Sequence, residues 1–464
     1  MLMIELDNRN GKPLYSQIYE QIKKQIQMGD LPQKTKLPSA RKLAAYLEIS
    51  RNTVDFAYGQ LEAEGYIESR PRSGFYVCQV EELAVLDIPV EIEETESEDQ
   101  KAEMPYDFSP SGTDMEYFPY HVWRKLLKEI MINDNSELFQ KGDPQGDFEL
   151  RRSIMYYLRQ SRGVHVHANQ IIIGAGMENL LFLLRQTFGE RRVVGIENPV
   201  YTNACGILRE LGFQLRPVSM DQSGLNVAKL RETDADLAYV TPAHQYPTGV
   251  VMPAGRRGQL LRWAREKEER YIIEDDYDSE FRYYGKPIPA LQGLDQSGKV
   301  IYIGTFSKAI APAIRVGYMV LPPNLLEQYR KNVTAFSCSV SRIDQKVLTF
   351  FLAEGHFERH LNRMRNLYKE KHDILLESIQ KNIPGASVSG EGAGVHVIVD
   401  FHICKKEEFE QRLRELGIVI YPLSFYYIEG KPQEEQYILG FTRMKKKDII
   451  EGTRKIGKVL STIK

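Results

Sequence analysis

Apolar residues recur at Leu14, Ile18, Ile22 and Ile26, and the run stops before Gly29-Asp30-Leu31-Pro32. That spacing lays one apolar stripe along a helix, which the glycine and proline then end. Ser39, after Pro38, suits the N-cap of a second helix through Leu43 and Leu47. Ser50 suits the cap of a third, carrying Val54, Ala57, Tyr58 and Leu61 and stopping at Gly65. Residues 66–77 then read as two short strands about a basic, glycine-containing turn. Two helices joined by the brief Glu48-Ile49 connection, then a hairpin, predict a winged helix-turn-helix over residues 1–78.

From Tyr106 the pattern changes to buried-strand runs alternating with helical stretches. The runs are Ile171 to Gly174, Val193 to Glu197, Leu237 to Thr241, Tyr271 to Asp275 and Val300 to Gly304, with helical signals such as Leu180-Leu181-Leu183-Leu184 and Leu260-Leu261-Trp263-Ala264 between them. Such alternation predicts a mostly parallel sheet covered on both faces, with ligands at the carboxyl ends of its strands. After Phe350 long charged helices and shorter strands take over, which suggests a large lobe over 106–350 and a small one over 351–464. Between the two parts, residues 81–103 hold ten Asp or Glu and one Lys, Lys101. A segment this polar cannot offset its ordering entropy by burial, so 79–105 is expected to be a solvated, self-repelling linker.

Composition adds little to this picture but removes several alternatives. The 464 residues are 42% apolar and 27% charged with a net charge of −2, so any nucleic-acid contact must come from a local patch. Met1 to Asn10 carries Glu5 and Asp7, unlike a signal peptide, and no apolar run approaches the ~20 residues that span a bilayer. The expectation is a cytoplasmic protein with no membrane partner. Cys78, Cys205, Cys338 and Cys404 are scattered, form no C-x-x-C pair, and are expected to be buried small residues and not metal ligands or disulfides. His165-Val166-His167 alternates like a metal pair but lacks a third ligand, so no metal site is predicted.

Candidate chemistry gathers at the strand ends. Lys308 lies in Gly304-Thr305-Phe306-Ser307-Lys308, straight after a buried run, with Arg315 seven positions on. A partly desolvated lysine has a lowered pKa and can attack an aldehyde, while two hydroxyls and a guanidinium suit a phosphate. Aldehyde and phosphate on one molecule suggest pyridoxal 5′-phosphate (PLP). Asp275, two residues before Tyr277, would keep the ring nitrogen of PLP protonated, although an isolated Asp-Asp-Tyr serves equally as a cap or surface group. Tyr201 follows another strand and could stack on the ring, but alone it reads as an ordinary core tyrosine. Ala175, Gly176 and Met177 pass from strand to helix, where free N–H groups would join Thr305, Ser307 and Arg315 in a phosphate cup.

Residues 107–464 resemble a fold-type I aminotransferase, through Pro-Val-Tyr at Tyr201, Pro247-Thr248-Gly249, Asp275 with Tyr277, and Ser307-Lys308 with Arg315. Residues 13–77 resemble a GntR-type winged helix through Pro13-Leu14-Tyr15, Leu37-Pro38-Ser39-Ala40-Arg41 and Ser50-Arg51-Asn52-Thr53-Val54. Together, in this order, they are similar to the MocR family of transcriptional regulators. The resemblance implies PLP held covalently on Lys308 and a head-to-tail homodimer. It also implies a small-molecule effector, either PLP itself as in PdxR-type members or an amine or amino-acid-like molecule that displaces Lys308. On that reading the changed closure of the small lobe repositions the DNA-reading units. Two rivals remain: a true aminotransferase with an accessory DNA-binding domain, and a scaffold that has lost PLP.

Departures from the pattern carry information. Aminotransferases usually place an Asn before Pro-Thr-Gly to contact PLP; here Tyr246 stands there, with His244 or Gln245 as spatial substitutes. Their carboxylate-binding Arg-x-x-Phe stretch matches Ile438-Leu439-Gly440-Phe441, with Ile438 in the arginine's place, and Asn203 stands where a GABA sensor would want an arginine. Without a bidentate clamp, a response to GABA or ordinary α-amino acid transamination is not expected.

For double-stranded operator DNA, Ser50, Arg51, Asn52 and Thr53 open the third helix, where side chains reach base edges in the major groove. The GntR resemblance adds Ser39 and Arg41, and Arg70 and Arg72 in the wing suit phosphate or minor-groove contact. Residues 1–78 hold 11 Lys and Arg against 9 Asp and Glu, so tight binding should need two copies on paired half-sites.

Overall fold

The computed structural model describes residues 2, 4–7, 12–71, 73–79, 104–132, 136–283, 285, 287–432 and 435–463. Arg72 and nearly all of the stretch read as a linker lie outside the described residues. The chain divides into two compact units, Met1–Asp99 and Gln100–Lys464.

In the first unit the apolar stripe forms α1 (Leu14–Gln27), which buries Ile18, Ile22 and Ile26. It packs on α3 (Arg51–Ala63), as does α2 (Ala40–Tyr46), around Leu43, Val54, Ala57, Tyr58 and Leu61. The Tyr58 hydroxyl, buried with its ring, donates to Pro38 O at 2.9 Å, so the core holds a large aromatic without an orphaned donor. Strands β1 (Ile67–Arg70) and β2 (Gly74–Val77) pair antiparallel from Ile67↔Val77 to Arg70↔Gly74 and form the wing.

The second unit contains, in chain order, β3 (Tyr106–Asp107), α4 (Tyr120–Met131), α5 (Phe148–Arg162), β4 (Ile171–Gly174), α6 (Gly176–Phe188), β5 (Val193–Asn198) and α7 (Thr202–Glu210). Next come β6 (Gln214–Asp221), β7 (Gly224–Leu225), α8 (Val227–Arg231), β8 (Leu237–Val240), α9 (Ala254–Arg265), β9 (Tyr271–Asp276), β10 (Val300–Thr305) and β11 (Gly317–Val320). These strands, β3 apart, form an eight-stranded sheet in the order β4-β11-β10-β9-β8-β5-β6-β7. Its centre is parallel, while β4, β11 and β7 join antiparallel.

Both faces are covered, which is why the strands read as continuous apolar runs. Ile301 and Ile303 meet Leu180, Leu184 and Leu208 of α6 and α7, whereas Tyr302 faces Ile154 and Leu158 of α5. The parallel centre puts the ends of β5, β8, β9 and β10 on one edge. The antiparallel insertion of β11 does something more. Register aligns Thr305 with Gly317 and Gly317 with Gly174, so the start of α6 lies beside the Arg315 loop.

The chain continues through α10 (Pro323–Asn332), α11 (Arg342–Ala353), α12 (His356–Asn382), β12 (Ser387–Ser389), β13 (His396–Asp400), α13 (Lys406–Glu415), β14 (Ile418–Val419), β15 (Tyr421–Pro422), β16 (Tyr437–Gly440) and α14 (Lys446–Ile463). A second sheet, β12-β13-β16-β15, packs with α12, α13 and α14 around Leu375, Phe409, Phe441 and Ile456. β3 adds to β14, and the following strap runs past β16, with Gly440 N–H donating to Phe108 O at 2.8 Å.

Cysteine burial departs from expectation. Only Cys205 is buried, Cys78 and Cys338 are half-buried, and Cys404 is exposed, because it follows β13 in a surface turn. No helix among the described residues is long and apolar enough to cross a membrane.

Candidate functional site

At the carboxyl edge of the large sheet a pocket is lined by Met177, Tyr201, Asp275, Tyr277, Thr305, Ser307, Lys308 and Arg315 together. These residues come from four separate strand ends. Burial pushes the Lys308 ammonium down to about 8, against the pull of the Asp278 carboxylate, and its Nζ donates to Pro110 O at 2.8 Å. The strap closes over that side, with Thr113 Oγ1 donating to Lys308 O at 3.1 Å and Thr442 Oγ1 to Gly112 O at 3.2 Å. Sequence reasoning missed Pro110, Gly112 and Thr113. Only the turn-forming composition of 109–112 could have marked them, and nothing local tells what a turn faces.

Asp275 supplies the test of fit for PLP. Strand alternation turns it away from Glu274 and Asp276. Its Oδ2 accepts the Tyr239 hydroxyl, while Oδ1 is buried with no hydrogen-bond partner among the described residues. Burial raises this carboxyl to about 7, partly offset by Tyr239. A buried oxygen of this kind needs a donor, preferably cationic, and a pyridinium N–H is one. Glu274 and Asp276 point to the other face, where Asp276 pairs with Arg162 at 2.7 Å and Glu274 accepts from Leu291 and Gln292 N–H at 2.7 and 2.8 Å.

The opposite end suits a phosphate. Arg315 sits in a left-handed conformation (φ 50°) and reaches Ala175 O at 3.3 Å and the Glu178 carboxylate. Gly176 has φ 84°, and a Cβ there would lie 2.6 Å from the Arg315 guanidinium, so only glycine admits this approach. The Ala175 N–H is already taken by Asn179 Oδ1 and Ser339 Oγ, both at 3.1 Å. The amides of Gly176 and Met177 open α6, where a helix has no internal acceptor for them.

Of the spatial substitutes for the missing Asn, Gln245 turns away: its Nε2 donates to Pro199 O at 2.9 Å and its Oε1 accepts from Thr248 N at 3.0 Å. His244 stands behind Tyr277, with Nδ1 2.9 Å from the phenol oxygen. Tyr246 lines the pocket, but its hydroxyl is committed to Tyr426 at 3.2 Å. Ile438 is fully buried among Tyr246, Ile398, Leu423 and Tyr426, and Asn203 donates to the Tyr201 hydroxyl at 3.1 Å. The only cations lining the pocket among the described residues are Lys308 and Arg315.

In the first unit, Ser39 and Ser50 cap α2 and α3, accepting from Lys42 and Thr53 N–H at 3.3 Å each. Arg41, Arg51 and Asn52 are exposed and Thr53 is half-buried. Arg51 is paired with Asp55 at 3.2 Å, and Arg70 stacks on Tyr76 with 4.5 Å to the ring centre.

A winged helix joined to this fold and pocket defines a PLP-dependent transcriptional regulator. Residues 14–77 match the family of bacterial regulatory proteins of the gntR type, and residues 111–435 match aminotransferase class I and II. The chain is 39% identical to the HTH-type transcriptional regulator YdeL of Bacillus subtilis, covering 96% of each. It is 32% identical to a probable rhizopine catabolism regulatory protein, MocR, of Rhizobium meliloti (97% and 94% covered). Identity to the pyridoxine biosynthesis regulator PdxR of Corynebacterium glutamicum is also 32% (95% and 94% covered). Among solved structures, Pyrococcus horikoshii kynurenine aminotransferase superposes with a TM-score of 0.69 at 25% identity, over 78% of this chain and 92% of that one. The chain belongs to the MocR family of GntR-type regulators with an aminotransferase-like domain. When bound, PLP supplies an aldehyde and an electron-withdrawing ring.

Proposed function

We propose that this regulator reads out the state of its Lys308-bound cofactor, with PLP itself or an amine lacking a carboxylate as effector. The observation that carries the reading is the orphaned Asp275 oxygen sharing one pocket with the depressed Lys308 amine and the Arg315 end. In this reading Asp275 holds the ring nitrogen, Tyr201 and Tyr277 bound the ring, and Gly176, Met177, Thr305, Ser307 and Arg315 hold the phosphate, with Ala175 acting through its carbonyl on Arg315. Both lining cations are then committed to the cofactor. An effector carboxylate would meet the Tyr201, Tyr246 and Tyr277 rings that line the pocket, where a guanidinium is needed.

DNA is contacted by Arg41, Arg51, Asn52 and Thr53, with Arg70 and Arg72 in the wing and Ser39 and Ser50 setting the helix starts. The proposal includes a cytoplasmic head-to-tail homodimer, lobes divided near residue 350, and an acidic linker over 79–105. An effector shifts the balance of two states only as far as it binds them unequally.

The test starts from DNA selected by the full-length protein out of a randomised pool. Purified protein should take up PLP, turn yellow, and change its affinity for that DNA; Lys308→Ala should lose the colour. A spectral screen of amines and amino acids should produce hits among amines without a carboxylate. A protein left colourless by excess PLP, or DNA affinity indifferent to PLP and every amine, overturns the reading.

A further inference from the structure

Behind the pocket wall lies a buried group that the cofactor-binding residues do not use. His244 Nδ1 is 2.9 Å from Asp278 Oδ2 and 2.9 Å from the Tyr277 hydroxyl. The histidine and the aspartate side chains are 3% and 1% exposed, so the pair is shut away from water. His244 Nε2 and Asp278 Oδ1 have no hydrogen-bond partner among the described residues. The fold makes room for the ring: Gly394 has φ 83°, and a Cβ there would fall 2.0 Å from His244 Cε1. The arrangement is built, since the glycine loop is pinned by Tyr283 O–H donating to Gly394 O at 2.6 Å and by Gly394 N–H donating to Phe281 O at 2.7 Å.

We propose that His244 and Asp278 are positioning residues, a buried hydrogen-bonded pair that orients the Tyr277 hydroxyl in the pocket wall and tunes the Lys308 end of that pocket. The inference rests on the cofactor reading above.

A desolvated carboxylate stabilises a proton on any nearby nitrogen, and its field is poorly screened in a dry interior. The Asp278 charge acts on Lys308, and also on Asp275, Tyr246, Tyr277, Tyr283 and His396. Those groups arrive from β9, the loop after β8, the loop after β9, β13 and the loop after β10, so the carboxylate faces the pocket from behind. His396 does not compensate it, because burial and His244 depress its pKa to about 4 and its Nε2 is held 2.8 Å from Pro247 O. Among the described residues, only His244 touches Asp278 with a ring nitrogen. It therefore moderates the carboxylate's field while fixing the Tyr277 phenol in the pocket wall.

The experiment is a spectrophotometric pH titration of the protein loaded with PLP, following the colour change that reports protonation of the Lys308 nitrogen. Asp278→Asn should lower the midpoint by about one pH unit, and Asp278→Glu should restore it. His244→Asn should raise it by about half a unit or more, since the carboxylate loses its partner. Midpoints within about 0.2 unit of wild type in both Asp278→Asn and His244→Asn overturn the proposal and leave the pair a packing feature. If Asp278→Asn does not fold, the upward shift in His244→Asn decides alone. A wild type that takes up no PLP instead defeats the cofactor reading, so the two failures are told apart.

Discussion

Lys308 carries the most direct prediction. Its ammonium titrates at about 8, below the ordinary 10.5, because burial penalises the charged form. Only the free amine attacks an aldehyde, so the rate of PLP uptake should rise with pH and level off above about 8. A stopped-flow rate that keeps climbing to pH 10 would contradict this. The sign for stability follows too: the folded chain binds this proton less tightly than the unfolded one. Its contribution therefore favours folding more as pH rises from about 8 to 10.5, and acts against folding most fully below 8. Asp275 behaves oppositely, since burial raises it to about 7. If Asp275 holds the ring nitrogen as proposed, Asp275→Asn removes the partner of a ring cation, and PLP affinity should fall about tenfold or more in equilibrium dialysis. The neighbouring Arg162–Asp276 pair is a structural matter. Arg162→Met would leave the buried Asp276 carboxylate with the Tyr302 hydroxyl but without its cation, and cost about 3–5 kcal/mol in denaturant unfolding.

At the scale of elements, α3 separates two effects that one substitution could confuse. Ser50 caps the helix and Arg51 projects from its first turn into solvent. Ser50→Ala should cost about 1 kcal/mol of stability and weaken DNA binding only through fraying. Arg51→Ala should leave the unfolding transition within about 0.5 kcal/mol and weaken affinity for selected DNA by about tenfold or more, with the PLP colour unchanged. An affinity untouched by Arg51→Ala would remove α3 from the reading role. The antiparallel β11 plays the matching part in the second unit: it returns Arg315 and Gly317 to the edge where α6 begins. A wholly parallel sheet would carry that loop to the far edge.

For the whole molecule, a weakly basic reader implies that affinity comes from tethering. DNA bearing two correctly spaced half-sites should bind the full-length protein about 10²–10⁴ times tighter than DNA bearing one. Equal affinity for the two, measured by gel shift at fixed salt, would mean that a single reader suffices.

Periodicity alone was enough to locate the three helices and wing of the DNA unit and five strands of the large sheet. Their signals are local, an apolar face and its capping residues. Lys308, Asp275, Tyr201 and Tyr277 were legible because polar residues ending buried runs must gather on one edge of a parallel sheet. Local pattern could not show that Gln245 turns to Pro199 and that His244 backs Tyr277. Nor could it show that the Ala175 N–H is spent in part on Ser339, or that a strap from residue 109 onward reaches Lys308. Those outcomes depend on contacts between residues up to nearly two hundred positions apart, where register and packing, not the neighbours in sequence, choose each partner.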